Sequence, residues 1–415
     1  MTQAEDREAS GRHGLPVAAG SQPLPVSASP YTGGAEFELL SRVARPRPDL
    51  GGALKILSGG VDFAELFKLA EYHGVRPQLI ESLYRMSWEA VPAATRSSFE
   101  NFRRIHGARA LFVSQELCRL SEAFDRAGLR YATFKGPTLA ALLHGDVSRR
   151  EYVDIDIIVP RQQIDDAERM LGEFGYRAAD GPRAYRRAFL AHLRQYAFVH
   201  PDSNLAVDLH WNFTGTHVPF PLTPEALWQD LDTVIIGNRA VTTPSRENLA
   251  LLLAGHGTKE AWRSLGWICD FATLIDRYPD LDWLAIHERA AANRCGDTIL
   301  LGCAMAEELA GTPVPRPLLG ALEKSSRVRM LARRLAGDLR EGLPGSPEGE
   351  NFSDFHLCER RIDRIVGALR LAFIRTSGDY DAMRLPQVLW PAYYATRPFR
   401  LAAKAMMALG RRTRR

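Results

Sequence analysis

Residues 153–159 read Val-Asp-Ile-Asp-Ile-Ile-Val and stop at Pro160. Acidic and apolar side chains alternate there with the period of a β-strand. Residues two apart point to one face, about 7 Å apart along the chain. Asp154 and Asp156 therefore sit side by side on an otherwise apolar strand. Two carboxylates in that position are costly to bury unless a cation meets them. Hard divalent cations such as Mg²⁺ take carboxylate oxygens. The alternative is a strand edge with solvated aspartates.

Two other stretches bear on that choice. Leu205–Trp211 contains Ala-Val-Asp-Leu-His-Trp. Val207 and Leu209 alternate out of phase with Asp208, so Asp208 and His210 share a face. A third carboxylate on a nearby strand is what a two-metal site requires. Upstream, Phe134-Lys135-Gly136-Pro137 joins a short β-prone run to a helical one. Glycine there lets a phosphate approach the N–H groups of a helix start, and Lys135 adds a positive charge. The plain reading of Lys135-Gly136 is a surface turn.

The rest of the chain divides around this block. Residues 1–35 are rich in Gly, Ala, Ser and Pro and read as a disordered lead. Residues 36–128 read as helical, with Phe63, Leu66, Phe67 and Ala70 at helical spacing. An α/β block occupies 129–244, with strands expected over Tyr131–Phe134, Val153–Val159, Tyr196–His200 and Leu205–Trp211. Helices are expected there over Pro137–His144 and Gln162–Phe174. A helical region over 245–380 opens at Ser245, an expected N-cap, and includes helices over Trp262–Leu274 and Ile299–Leu309. It is interrupted by a loop over Gly342–Gly349. A basic tail spans 381–415.

Charge excludes one class of partner. The net charge is +4, but Arg397–Arg415 holds seven basic residues and no acid, which leaves residues 1–396 at −3. A body of that sign does not coat nucleic acid, so no stable nucleic-acid partner is expected. The tail helix, Leu401–Leu409 followed by arginines, invites weak contact with anionic surfaces or else simply packs and frays. Five scattered cysteines with no CxxC pair fit a reducing cytoplasm. No apolar run approaches the roughly 18–20 residues of a membrane span. P-loop, Rossmann, zincin and serine-hydrolase motifs are absent from the sequence.

Lys135-Gly136 on a strand–helix turn, Arg150 four residues before Asp154-Ile-Asp156, and Val-Asp208-Leu-His-Trp together resemble the nucleotidyltransferase superfamily typified by DNA polymerase beta. More narrowly they resemble the bacterial uncharacterised nucleotidyltransferase family. Further matching stretches are Ala70-Glu-Tyr-His-Gly-Val75, His256-Gly-Thr-Lys-Glu-Ala-Trp262, Gly266-Trp-Ile-Cys-Asp270 and Arg384-Leu-Pro to Arg400. The resemblance covers roughly residues 50–405. It implies an α+β fold: a polymerase-beta-like core with a small mixed sheet, flanked by helical regions. It implies Mg²⁺ at Asp154 and Asp156, with Asp208 as a third ligand or a base. The superfamily usually has Gly-Ser where this chain has Lys135-Gly136, a trait the narrower family shares, and the mode of triphosphate binding is left open. The implied activity is Mg²⁺-dependent transfer of a nucleotidyl group from an NTP, ATP first, to a hydroxyl of an unnamed small molecule or protein.

Supporting groups follow from the helical segment after Ser245. On one continuous helix, His256, Lys259, Glu260, Arg263, Trp267 and Asp270 would share about a third of the circumference. That face is either solvated or lines the cleft opposite the aspartates, with Lys259 or Arg263 meeting phosphate. His256, Asp270 and His210 are read as supporting residues around the ligands. Arg150 either forks onto a phosphate or pins the carboxylate strand through an ion pair. Two other functions use the same residues: a metal-dependent glycosyltransferase built on the Asp154/Asp156 pair, and a non-catalytic nucleotide-binding adaptor.

Overall fold

The structure is a computed structural model. It describes residues 34–179, 190, 193–342, 356–374, 379 and 382–412, with side chains up to residue 403. Residues 1–33 of the lead expected over 1–35, residues 343–349 of the loop expected over 342–349, and the tail side chains from 404 onward lie outside the described residues, while Ala35 already begins a helix.

Five helices come first: α1 (Ala35–Val43), α2 (Leu50–Ser58), α3 (Phe63–His73), α4 (Arg76–Met86) and the long α5 (Ala93–Arg126). The central block follows as β1 (Ala132–Thr133), α6 (Gly136–His144), β2 (Asp154–Ile158), α7 (Ile164–Glu173), β3 (Arg177–Ala178), β4 (Gln195–Val199), β5 (Ala206–His210) and α8 (Pro224–Leu227). A hairpin, β6 (Leu231–Ile236) and β7 (Arg239–Pro244), closes it. Helices then run α9 (Arg246–Lys259), α10 (Leu265–Arg277), α11 (Trp283–Ala292), α12 (Gly296–Ala310), α13 (Leu319–Lys324), α14 (Ser326–Arg340), α15 (Arg361–Phe373) and α16 (Ala392–Arg412).

The main sheet is mixed, in the order β1-β2-β5-β4-β3, and β2 pairs with β5 in parallel. The fold is therefore α+β with a small mixed sheet between helical regions, as the sequence implies. The register places Asp154, Asp156 and Ile158 opposite Ala206, Asp208 and His210. Both strands were in phase in the sequence, so their alternation sends Ile155, Ile157, Val207 and Leu209 to the other face. Each of these is at most 1% exposed and packs with Tyr196, Phe198 and residues of α5 and α7. The acidic face instead turns toward the larger apolar cluster, which Ile158 enters. That cluster joins both helical regions: Leu39 and Leu66 share it with Leu253, Trp262 and Leu301.

Two contacts tie the N-terminal helices to the sheet and to α10. The Glu151 carboxylate accepts from the Arg76 backbone N–H at 2.9 Å and from its guanidinium, satisfying the start of α4 just before β2 begins. The His73 carbonyl accepts from the Ser264 hydroxyl at 2.7 Å, and its ring Nδ1 accepts from the Leu265 N–H. Burial pushes the His73 imidazole down to about 3. The unfolded chain therefore gains a proton below about pH 6.5 that the folded chain refuses, and stability falls as pH drops through 6.5 toward 3. At pH 5 this one residue is expected to cost about 2 kcal/mol relative to pH 7. Denaturant titrations of wild type and His73→Gln at the two pH values check this: the variant's pH difference is expected to be smaller by about that amount.

One expected helix is corrected. Trp262–Leu274 is not continuous with α9. The chain turns at Ala261 and Trp262, both left-handed with φ of 53° and 50°, and α10 starts at Leu265. Trp262 is fully buried, and its ring lies where any side chain at Gly257 would have to go, 2.6 Å from an added Cβ. The single helical stripe from His256 to Asp270 therefore does not exist. Its members are split between α9, the turn and α10.

The tail is also less free than its composition implies. Arg397 is buried and pairs with Asp379 at 2.6 Å, and Arg400 pairs with the same carboxylate.

Candidate active site

The site forms where β2 and β5 run side by side. Asp156 and Asp208 are direct neighbours in the register, 5% and 1% exposed. Their carboxylates and the His210 ring offer ligating atoms within 4.8 Å of one another. His210 Nε2 lies 2.9 Å from Asp156 Oδ1 and donates to it in the tautomer carrying that proton. The ring packs edge-on to Phe134, 5.3 Å between centroids. Gln195, at the head of β4, donates to Asp208 Oδ2 at 2.6 Å. Asp154, half-buried, is one strand period upstream on the same face.

The electrostatics are those of acids packed together. Burial first, then the charges of Asp156 and Asp208, push the Asp154 carboxyl up to about 7, against Lys135 and Arg150. Burial also opposes the Asp156 charge, but Lys135, the His210 hydrogen bond and Arg150 outweigh it and hold that carboxyl low. The His256 imidazole lies well below its ordinary value, first through burial and then through Lys135, Lys259, Arg194 and Arg150. Lys135 and Arg150 thus act on Asp154 and Asp156, and together with Lys259 and Arg194 on His256.

Lys135 and Gly136 open α6 next to this point. Gly136 has φ +53°, and a Cβ there would stand 3.0 Å from the Asp154 carbonyl oxygen. Only glycine lets the turn lie this close to β2 without strain. Gly136→Ala is expected to lower stability by about 1–2 kcal/mol and to displace the Asp154 end of the strand. Denaturant unfolding beside a nucleotide titration checks both effects.

Not every expected residue meets the acids directly. Arg150 is turned to Asp270: Nε lies 3.0 Å from Oδ2, and both side chains are largely buried. Its charge still reaches Asp154 and Asp156, so of the two readings the structure shows the ion pair. Lys259 is buried and lies 3.3 Å from Glu260. Arg263 is held by the same glutamate, at 2.7 Å from its side chain and 3.0 Å from its carbonyl. His256 packs edge-on against Trp267 at 5.0 Å.

Arg194 and Gln195 were missed by sequence reasoning. The signal was a polar Arg-Gln pair leading straight into the apolar Tyr-Ala-Phe-Val of β4. The strand begins at Gln195, not at Tyr196, which brings the amide onto the Asp208 edge.

None of the curated proteins matches this chain. Among solved structures it is similar to the antibiotic-resistance factor ANT(2'')-Ia. That likeness has 15% identity and a TM-score of 0.29, covering 46% of this chain and 90% of that one; at that score it carries no argument. The family described as "uncharacterised nucleotidyltransferase" matches residues 59–311, more than half of the chain and all of the elements that build the acidic site. The chain therefore belongs to the uncharacterised nucleotidyltransferase family.

Proposed function

We propose that the protein transfers a nucleotidyl group from a nucleoside triphosphate, ATP first, to a hydroxyl of a small molecule or protein, with Mg²⁺ held by Asp154, Asp156 and Asp208. The observation that carries this reading is the in-register Asp156–Asp208 pair with Asp154 beside it, within reach of the Lys135 and Arg150 charges. The donor set fits a hard divalent cation: oxygen ligands predominate, and His210 orients Asp156 by a hydrogen bond. When bound, such a cation withdraws charge from the reacting phosphate and acidifies the attacking hydroxyl.

The chain's own residues would do the rest. Lys135 and the α6 start at Gly136 would hold the β- and γ-phosphates, with Lys259 and Arg194 adding positive charge from the facing side. Arg150 would act through position, pinning Asp270 of α10 to the segment that leads into β2. Arg263 would hold Glu260, and so the Lys259 turn. His256 would stay neutral among these cations. Gln195 would fix the Asp208 carboxylate. Asp208 would take the proton as the acceptor oxygen bonds to the α-phosphorus and the bond to pyrophosphate breaks. Most of the rate would come from positioning and charge stabilisation. A glycosyltransferase reading would leave Asp208 without a role, although it stands directly beside Asp156.

Calorimetric titration of the four NTPs with and without Mg²⁺ tests the proposal. Mg²⁺-dependent binding that is lost in Asp154→Ala/Asp156→Ala is the expected result. Absence of binding by folded wild type would contradict the transferase reading and a nucleotide-binding adaptor alike.

A further inference from the structure

A second feature lies on the same strands. Beyond the C-terminal ends of β2 and β5 is a cavity of about 510 Å³ whose walls include Pro160, Trp211, Thr214 and Phe220. That volume lies within the roughly 300–1,000 Å³ of ligand pockets. Trp211 directly follows His210, so the cavity starts about 10 Å along the strand from Asp208. Aromatic packing connects the two places. Phe220 stacks on Phe213, Phe213 meets Phe134, and Phe134 meets His210, with centroids 5.4, 6.2 and 5.3 Å apart.

Thr214 supplies a polar side chain to the cavity wall. The residue is 5% exposed and lines the wall, and its hydroxyl has no hydrogen-bond partner among the described residues. A buried hydroxyl left unpaired costs about 1–3 kcal/mol. A ligand group that both donates and accepts would satisfy it.

The direction of the chemistry assigns the occupant. In-line displacement puts the attacking and leaving oxygens on opposite sides of the phosphorus. Lys135 and Gly136 lie at the Asp154 end of β2, while the cavity lies past its Ile158 end. With pyrophosphate leaving toward Lys135, the acceptor must arrive from the cavity side. The charged lining is one arginine, Arg161, and one glutamate, Glu225; the other polar lining groups are neutral amides and hydroxyls. That balance suits an uncharged ligand. Buried aromatic walls suit the C–H faces of a ring, and the Thr214 hydroxyl suits a ring substituent that is itself a hydroxyl.

We propose that this cavity binds the acceptor, and that the acceptor is an uncharged polyhydroxylated molecule of the sugar class. The acceptor role rests on the transferase reading above; the binding itself does not. The test is saturation-transfer NMR on the metal-free protein, with methyl α-D-glucopyranoside, methyl α-D-mannopyranoside and N-acetyl-D-glucosamine as probes. Adenosine and N-acetylserine amide represent the competing classes. The variants are Thr214→Val, which removes the hydroxyl at constant shape, and Gln162→Trp, which fills the mouth from an exposed position. Expected is transfer to at least one sugar, reduced at least fivefold in Thr214→Val and abolished in Gln162→Trp. Denaturant unfolding of the same variants shows that they are folded, and Mg·ATP is titrated into wild type in parallel. No transfer to any sugar, transfer that both variants retain, or variant-sensitive transfer to adenosine or the serine amide instead, overturns the proposal. Sugar binding without any Mg·ATP binding by wild type would overturn the transferase reading while leaving the sugar site standing.

Discussion

Asp154→Asn is expected to bind Mg·ATP on the order of 100-fold more weakly than wild type, and yet to melt a few degrees higher at pH 8 in the absence of divalent cations. The two effects share one cause. Burial and the charges of Asp156 and Asp208 raise the Asp154 carboxyl from an ordinary 3.8 to about 7. The folded, metal-free protein therefore holds a proton there that the unfolded chain has already lost. Its stability falls as pH rises from about 4 to 7 and is flat above that. Asparagine removes the repulsion, so its advantage should be absent near pH 4 and largest at pH 8, on the order of 2 kcal/mol. The same change removes a carboxylate from the proposed metal site. Thermal melts at pH 4 and pH 8 in EDTA, beside a Mg·ATP titration, check both halves. A variant that loses stability at pH 8 would show that Asp154 is not a strained ligand.

Asp270→Ala is expected to have the largest effect on stability, a loss of about 3–5 kcal/mol. Arg150 and Asp270 are 13% and 6% exposed, and the pair joins the segment before β2 to α10 across 120 residues of chain. Removing the aspartate leaves a buried guanidinium with its main counter-charge gone, close to Asp154 and Asp156. The double variant Asp270→Ala/Arg150→Met should recover much of the loss, because no unpaired charge then remains. Denaturant titration of both singles and the double gives the coupling energy directly. A double variant as unstable as the sum of the singles would mean that the two side chains act independently.

The carboxylates could be placed from sequence because a strand's period is strict. Ile155, Ile157, Val207 and Leu209 can share one apolar face only if Asp154, Asp156, Asp208 and His210 share the other. The parallel pairing that puts Asp156 beside Asp208 is long-range and leaves no local mark. The helix break at Ala261–Trp262 was hidden for a related reason. No proline or glycine sits at either position, and the left-handed turn is enforced by burial of the Trp262 ring against Gly257. Reading through it as one helix placed Arg263 in the cleft, where the structure instead turns it onto Glu260. The β6–β7 hairpin was missed because Asp232, Thr233, Thr242 and Thr243 dilute its apolar alternation, although Gly237-Asn238 is an adequate turn signal. Arg150 was the instructive case. Its spacing from Asp154 suggested both a phosphate contact and an ion pair, and only its partner 120 residues away decides between them.

If the β2 and β5 carboxylates hold a divalent cation against a nucleotide, crystals grown with Mn²⁺ and a non-hydrolysable ATP analogue, measured at the manganese absorption edge, will show both. An anomalous peak bonded to Asp156 and Asp208 is expected, with the triphosphate running toward Lys135 and Gly136. Manganese elsewhere, or a nucleotide bound away from these carboxylates, would contradict it.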